Sequence, residues 1–309
     1  MCLHGWLDNC CSFDGLAPKL PNDSHNFLAI DLIGKDNKVK KVIAKPHFSF
    51  LGHGFSTHYP PGMTYRFSDA ITVTRYVKEH MEWDKFSIIG HSLGAAIGVW
   101  YSSVFNEEVD RLITLDLLNV APLTLEKHIK KTKTAILSGV KTFKKLSSQE
   151  VPTYDYIDAV ARAYMANNLA HGEEAITQNS VEILMKRGLR PVGDKFTWTA
   201  DLRLRVPAAF HVLEEQVEHY SSNIKCPMML LKATNSSWYM QDEVAKRLIK
   251  VYKNNNPNFE MHKIEGGHHV HLNNPERVSD LINGFLAKTD FKSEDEKLEK
   301  QHHFPHDLF

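Results

Sequence analysis

Five consecutive residues, Gly90-His91-Ser92-Leu93-Gly94, form a G-x-S-x-G pattern within this 309-residue chain. They follow an apolar, β-type run at residues 86–89 and precede a run of small apolar residues at 93–99, typical of a helix packed against a sheet. In that context the pattern predicts a tight strand-to-helix turn that lifts the serine hydroxyl clear of the sheet. Glycines two positions before and after the serine avoid a collision across the turn. Ser92 is therefore a candidate nucleophile.

A neutral serine hydroxyl attacks poorly, so a covalent mechanism at Ser92 needs a base. Histidine has a suitable pKa near neutral pH. The chain has 18 histidines, so residue type alone does not identify this base. His268, His269 and His271 could instead suggest a metal site, but no cysteine or carboxylate lies close to them in sequence. We therefore predict no metal ion and no cofactor.

The elements around the motif alternate between strand and helix. Short apolar runs predict strands at residues 27–32, 86–89, 111–117, 227–232 and 259–264. Ser68-Asp69 is a plausible N-cap for a helix that continues through Val77, and further helices are predicted at residues 242–251 and from about Pro275. This alternation predicts an α/β fold, with a mostly parallel sheet and helices on both faces.

The alternation lapses between residues 122 and 222. Helices are predicted there at 123–145, 154–168, 173–186 and 214–220, with an isolated short strand at 196–199. We interpret residues 122–222 as a helical cap over a core formed by residues 1–121 and 223–287. Residues 33–51 are lysine-rich and non-periodic and predict a surface insertion, and residues 288–309 predict a flexible tail.

Composition limits the partners. Lysine plus arginine and aspartate plus glutamate each number 37, so the overall charge favours neither nucleic acid, nor an anionic membrane, nor a strongly charged substrate. No apolar run approaches the roughly 18 residues needed to span a bilayer, and no basic-then-apolar leader begins the sequence. Four scattered cysteines fit reduced thiols. We expect a soluble, intracellular protein with a small, uncharged substrate; its oligomeric state is not predicted.

Several motifs together resemble those of one family. They are His4-Gly5-Trp6-Leu7-Asp8-Asn9, Tyr59-Pro60-Pro61-Gly62, the motif at Ser92, Thr199-Ala200-Asp201-Leu202-Arg203, and Gly266-Gly267-His268-His269-Val270-His271-Leu272. The chain resembles the α/β-hydrolase superfamily, and most closely the kraken-related serine hydrolase-like proteins. The resemblance implies that Ser92 is the nucleophile and His268 its base. It also implies an oxyanion hole formed by the backbone N–H groups of Trp6 and Leu93.

The third member of the implied triad departs from the family pattern. The usual acid follows the strand at 227–232, where this chain has Asn235. An amide can orient an imidazole but does not stabilise its positive charge. Asp116, on the strand after the nucleophile's, and Asp242, near the start of a predicted helix, are the two candidate acids. A complete strand and a hairpin that the family has before its His-Gly loop are also missing here.

The resemblance implies a serine hydrolase that cleaves an ester, thioester or amide of a small, mainly apolar substrate through an acyl-enzyme. Two alternatives stay open: a hydrolase-fold ligand-binding protein, and a weakly active truncated variant. Dehalogenase or epoxide hydrolase chemistry needs a carboxylate where this chain has Ser92. The family's locations include the cytoplasm, perinuclear vesicles and peroxisomes, but Asp307-Leu308-Phe309 is not a peroxisomal tripeptide.

Overall fold

The structure, a computed structural model, describes residues 1–21, 23–30, 47–48, 52–148 and 151–292. The strands of this part of the chain are β1 (Cys2–Leu3), β2 (Ala29–Ile30), β3 (His47–Phe48), β4 (Phe86–His91), β5 (Val109–Leu115), β6 (Leu189–Val192), β7 (Lys195–Trp198), β8 (Met228–Ala233) and β9 (Phe259–Ile264). The helices are α1 (Phe67–His80), α2 (Leu93–Val104), α3 (Leu125–Ser147), α4 (Tyr156–His171), α5 (Gln178–Gly188), α6 (Glu214–Ser222), α7 (Asp242–Asn255), α8 (Val270–Asn273) and α9 (Glu276–Ala287).

Seven strands form one sheet in the spatial order β3-β2-β1-β4-β5-β8-β9, and every neighbouring pair is parallel. This confirms the predicted parallel sheet. Consecutive residues of the central strands point to opposite faces, as the period of a strand requires. Ile88 packs with α1, α2, α6 and α7 residues in one apolar cluster, whereas Ile89 packs with α9 residues in another. The sheet is therefore buried on both faces, so its polar side chains are placed at its carboxyl-terminal edge.

Several elements differ from their predicted form. The N-cap of helix α1 is Arg66, two residues before Ser68, and Asp69 accepts a hydrogen bond from the Arg66 N–H (2.8 Å) from inside the first turn. The strand predicted as isolated, β7, pairs antiparallel with β6. Strand β6 escaped prediction because it carries exposed Arg190 and Pro191 on a two-stranded hairpin, so burial imposes no apolar alternation on it.

The structure describes only parts of the two predicted peripheral segments. Most of the predicted insertion at 33–51 lies outside the described residues, but His47 and Phe48 pair with Ala29 and Ile30 in the main sheet. The first residues of the predicted tail also contact the core: Lys292 exchanges two 2.9 Å hydrogen bonds with Asn258. Residues 293–309 lie outside the described residues. These short additions escaped prediction because pairing with distant chain, rather than local pattern, determines them.

The segment 122–222 contains α3, α4, α5, α6 and the β6–β7 hairpin, close to the predicted helices. It contacts the core through α5 and α6 and through loops. A Cβ on Gly267 would lie 2.6 Å from the Glu174 carbonyl oxygen, so the backbones of the two loops are in direct contact. Within the described residues, no helix is long and apolar enough to cross a membrane.

The motif around Asp201 and Arg203 ties a second loop to this segment. Arg203 forms an ion pair with Asp201 (2.6 Å) and donates to the carbonyl oxygens of Tyr59 (2.6 Å) and Pro60 (2.7 Å). The Tyr65 hydroxyl donates to the same carboxylate (2.9 Å). Both charged side chains are buried, and a fully hydrogen-bonded guanidinium avoids the cost of an unpaired buried charge. This motif therefore holds loops together.

Candidate active site

Ser92 lies on a strained turn between β4 and α2. Its backbone has φ 51° and ψ −118°, a conformation that costs a non-glycine residue about 1–3 kcal/mol. A Cβ on Gly90 would lie 2.4 Å from the Gly94 carbonyl oxygen, and one on Gly94 would lie 2.0 Å from the Leu3 carbonyl oxygen. The two glycines therefore let the turn close on itself and let α2 approach β1. The result is a half-buried serine at the carboxyl-terminal edge of the sheet.

His268 and Asp116 form a buried pair at the same edge. His268 follows β9 through the Gly266-Gly267 loop, and Asp116 directly follows β5 with φ 57°. The His268 Nδ1 and Asp116 Oδ2 atoms are 2.7 Å apart, with both side chains at most 1% exposed. Since the carboxylate can only accept, Nδ1 carries the proton and Nε2 of a neutral ring is left as the acceptor. That is the tautomer a general base requires.

The second oxygen of Asp116 is held by Lys232. Lys232 Nζ lies 2.5 Å from Asp116 Oδ1, and the Ala233 N–H donates to the same oxygen (2.9 Å). The ammonium group also donates to the Ser236 carbonyl oxygen (2.8 Å) and lies over the Trp238 ring. The carboxylate is therefore fixed on both oxygens. Sequence analysis missed Lys232, although a lysine within the otherwise apolar strand Met228–Ala233 is a signal that a buried carboxylate lies nearby.

Burial and neighbouring charges shift the pKa values of these groups. Burial lowers the pKa of His268 well below its usual value, and the neighbouring histidines His91, His269 and His171 lower it further. Burial raises the pKa of Asp116, while Lys232 opposes that shift. Burial likewise lowers the pKa of Lys232, and Asp116 opposes it. Because the two charges are in contact, each stabilises the ionised form of the other.

Within the described residues, the side chains of two of the acid positions considered from sequence form no hydrogen bond with His268. Asn235 is exposed, and its side-chain oxygen accepts from the Thr234 hydroxyl (3.1 Å). Asp242 is also exposed and is the first residue of α7, whose N-cap is Gln241. Of the three acid positions considered from sequence, Asp116 is the one in contact with His268.

The predicted oxyanion groups lie at the start of α2 and in the loop after β1. Leu93 is the first residue of α2, so its N–H has no acceptor within the helix. Trp6 lies in a turn closed by the Asp8 N–H donating to the Gly5 carbonyl (3.2 Å). The close contact of Gly94 with Leu3 brings α2 against this loop. The Trp6 indole donates to the Leu204 carbonyl (2.9 Å) and is 48% exposed.

Ser92 is positioned between contacts of the buried pair. Its N–H donates to the Leu115 carbonyl (3.1 Å), next to Asp116, and the ring of the preceding His91 donates from Nε2 to the His268 carbonyl (3.0 Å). In the described part of the chain, no hydrogen bond joins the Ser92 hydroxyl to the His268 ring. Such bonds are often long before substrate binds.

Two residues outside the sheet cover His268. The ring of His171, at the end of α4, stacks on His268 with centroids 4.4 Å apart, and Tyr239 lies 4.7 Å away. Burial lowers the pKa of His171 to about 4, so this ring is neutral at neutral pH. His171 Nδ1 and the Tyr239 hydroxyl are within hydrogen-bond distance (3.1 Å). The two rings limit the access of water to one side of His268.

A second buried cluster lies beside this site. Asp8, His91 and His269 each offer a ligand atom, and within the described residues these atoms lie within 4.8 Å of one another, so the trio could hold a metal ion. Burial opposes ionisation of Asp8, yet His269 and His91 lower its pKa well below the usual value. The sequence-based prediction of no metal site considered only neighbours along the chain, and Asp8 reaches His269 across 261 positions. His271 instead contacts the Ser12 hydroxyl (2.7 Å).

Comparisons with known proteins identify the family that has this parallel sheet and serine turn. Residues 47–275 match the model of the alpha/beta hydrolase fold family. A serine hydrolase-like protein of Danio rerio is 32% identical over 289 residues, covering 93% of this chain and 80% of that protein. A serine hydrolase-like protein 2 of Homo sapiens is 27% identical, covering 94% and 87%. A crystal structure of a hypothetical protein from Pseudomonas aeruginosa PAO1 superposes with a TM-score of 0.72 and 28% identity, covering 93% and 90%.

The chain belongs to the alpha/beta hydrolase fold family, among its serine hydrolase-like proteins. The fold and the relatives' names support a hydrolase.

Proposed function

We propose that this protein is a serine hydrolase that cleaves a carboxylic ester, thioester or amide of a small, mainly apolar substrate through an acyl-enzyme intermediate. The observation that carries the proposal is the buried 2.7 Å contact between His268 Nδ1 and Asp116 Oδ2 beside the strained turn of Ser92. Nucleophilic acyl transfer needs a serine beside a histidine that is held in the tautomer of a base, and Ser92 and His268 lie at the same edge of the sheet.

In the proposed first step, the Ser92 oxygen attacks the substrate carbonyl carbon while its proton moves to His268 Nε2. The carbonyl oxygen becomes an oxyanion that accepts hydrogen bonds from the N–H groups of Trp6 and Leu93. Asp116 stabilises the imidazolium that forms. His268 then gives the proton to the leaving group as the acyl-enzyme forms.

In the second step, water replaces the leaving group. His268 takes a proton from the water, the hydroxide oxygen attacks the acyl carbon, and the returning proton releases Ser92 with a carboxylic acid product. His171 and Tyr239 cover one face of the His268 ring, which keeps bulk water off that face and strengthens the electrostatic interaction between His268 and Asp116. The proposed cap thus contributes directly to the environment of the base. The mechanism requires no metal ion.

The proposal is tested by labelling the protein with a fluorophosphonate, which captures an activated serine covalently. We expect one adduct per chain, located by peptide mass spectrometry on Ser92, and no adduct in Ser92→Ala. Ser87→Ala is the matched control, since Ser87 lies on the same strand and its hydroxyl contacts Asp110 on the surface. Unchanged labelling of a folded Ser92→Ala variant would contradict the proposal.

A ligand-binding protein without turnover is the second candidate, favoured by the lack of a hydrogen bond between the Ser92 hydroxyl and His268 in the described residues. It predicts that short-chain ester substrates bind but give no burst and no hydrolysis above that of Ser92→Ala. A fluorophosphonate adduct together with a pre-steady-state burst of alcohol release would exclude it.

A further inference from the structure

Helix α3 exposes an apolar stripe. Its 23 residues extend about 35 Å, yet only Ala135 and Gly139 are buried. Leu125, Ile129, Ile136 and Val140 are spaced by four, seven and four positions, so they lie along one side of the helix. They are 67%, 83%, 56% and 48% exposed, respectively. Exposed aliphatic residues that repeat at helical spacing indicate a surface that something covers.

The same helix is strongly cationic. It carries a single acidic residue, Glu126, and seven exposed lysines: Lys127, Lys130, Lys131, Lys133, Lys141, Lys144 and Lys145. Across the described ranges, none of these ammonium groups lies within 4 Å of a carboxylate. The neutral balance of the whole chain therefore conceals a local concentration of positive charge. At 3.6 residues per turn, four lysines follow the apolar stripe on one side of the helix: Lys133, Lys144, Lys130 and Lys141. The other three lysines lie on the side of the helix opposite the stripe.

A bulky aromatic residue extends the stripe. Phe210 is 88% exposed, and the preceding Ala209 carbonyl accepts a hydrogen bond from the Thr132 hydroxyl of α3 (2.7 Å). Gly139 of the same helix faces this part of the chain, since a Cβ built there would lie at van der Waals distance (3.7 Å) from the Val206 side chain. The stripe, the four lysines beside it and Phe210 form one continuous surface along α3.

We propose that this surface of α3 binds an anionic phospholipid bilayer, with the helix lying in the plane of the interface. The aliphatic stripe and Phe210 enter the boundary between headgroups and acyl chains, and the lysines extend to the phosphates. Charge complementarity selects this occupant. A second copy docked face to face through α3 would bring fourteen lysines together, and nucleic acid would leave the aliphatic stripe in water.

The test is co-flotation of the full chain with vesicles of phosphatidylcholine alone or mixed with phosphatidylserine. We expect binding to the mixed vesicles that weakens in high salt, and little binding to phosphatidylcholine alone. Replacing Lys130, Lys133 and Lys141 together by glutamine should weaken binding roughly 100-fold, about fivefold for each lysine. Replacing Lys246, Lys250 and Lys253 on α7 by glutamine removes the same charge from another exposed helix face and should leave binding within about twofold.

A second variant tests the apolar half of the proposal. Ile129→Ser with Ile136→Ser should weaken binding at least about tenfold while unfolding at the same denaturant concentration, because both side chains are already exposed. Equal binding to both vesicle types, equal losses in the two lysine variants, or no loss in the isoleucine variant would overturn the proposal. The proposal would also be overturned if the wild type bound no vesicles and light scattering showed a dimer that the isoleucine variant converts to a monomer.

Discussion

Replacing Asp116 by asparagine tests the buried His268–Asp116 pair most directly. At 2.7 Å and an effective dielectric constant of about 20, the carboxylate stabilises an imidazolium by about 6 kcal/mol. Lys232 is present in both the wild type and Asp116→Asn, so its repulsion of the imidazolium does not reduce this difference. A loss of about 6 kcal/mol corresponds to a roughly 10⁴-fold loss of kcat. This is the size of the loss that the same change causes in serine proteases, where the histidine is left in the wrong tautomer.

Stability must be separated from chemistry in this experiment. Asp116→Asn leaves the Lys232 ammonium buried without its counter-ion, which destabilises a protein by about 3–5 kcal/mol. Adding Lys232→Met removes that charge, so the double variant should regain at least half of the lost unfolding free energy. Its hydrolytic activity should stay far below that of the wild type, because the carboxylate is still missing.

Ester hydrolysis, urea unfolding and a fourth variant, Asp242→Asn, complete the experiment. Asp242 is an exposed residue in the first turn of α7, so its replacement should leave kcat within about twofold. The reasoning is refuted if a folded Asp116→Asn enzyme keeps more than a tenth of the wild-type kcat. A loss of activity in Asp242→Asn at unchanged stability would identify that residue as the acid instead.

Three further predictions follow from the same contacts. Burial lowers the pKa of His268, so the acidic limb of the kcat/KM profile should have its midpoint below pH 6.5. Activity should fall only as the pH drops through that midpoint. Lys232→Met should move the midpoint to higher pH. Burial lowers the pKa values of three histidines, His4, His268 and His271. Below pH 6.5 the unfolded chain therefore binds more protons than the folded chain. The free energy of unfolding, measured in urea, should fall there by up to about 1.4 kcal/mol per pH unit for each histidine. Gly94→Ala should destabilise the fold by at least about 2 kcal/mol because its Cβ meets Leu3, whereas Gly284→Ala in α9, with open space around it, should stabilise by up to about 1 kcal/mol.

The sheet was predictable because burial on both faces leaves a strong pattern. The strands around Ile88, Leu112 and Met228 are short apolar runs, and each falls within two residues of its predicted position. Strand β2 lies inside the run predicted at residues 27–32, but β1 and β3 have two residues each and so contain no period to detect. Their pairing depends on register with distant chain, and β6 depends on its hairpin partner in the same way.

The candidate site was predictable where a local turn determines the position. Glycines at fixed spacing predict the strained backbone at Ser92. The family resemblance implies His268, which lies in the loop after the last strand. The acid could only be narrowed to candidates, because the contact between Asp116 and His268 joins residues 152 positions apart. His171 is also far from His268 in sequence. The pattern of α4 does not indicate which residue its last turn contacts, so the stacking of His171 on His268 could not be predicted.

Asn235, Asp116 and Lys232 are best understood together. The usual acid position, after β8, is an exposed loop in this structure, where a carboxylate would need no counter-ion to ionise. Asp116 follows a strand deeper in the sheet, where burial raises its pKa and favours the neutral acid. A neutral acid would orient His268 but would not stabilise an imidazolium. Lys232 contacts Asp116 from the end of the neighbouring strand and favours its ionised form, which is the form that the proposed mechanism requires.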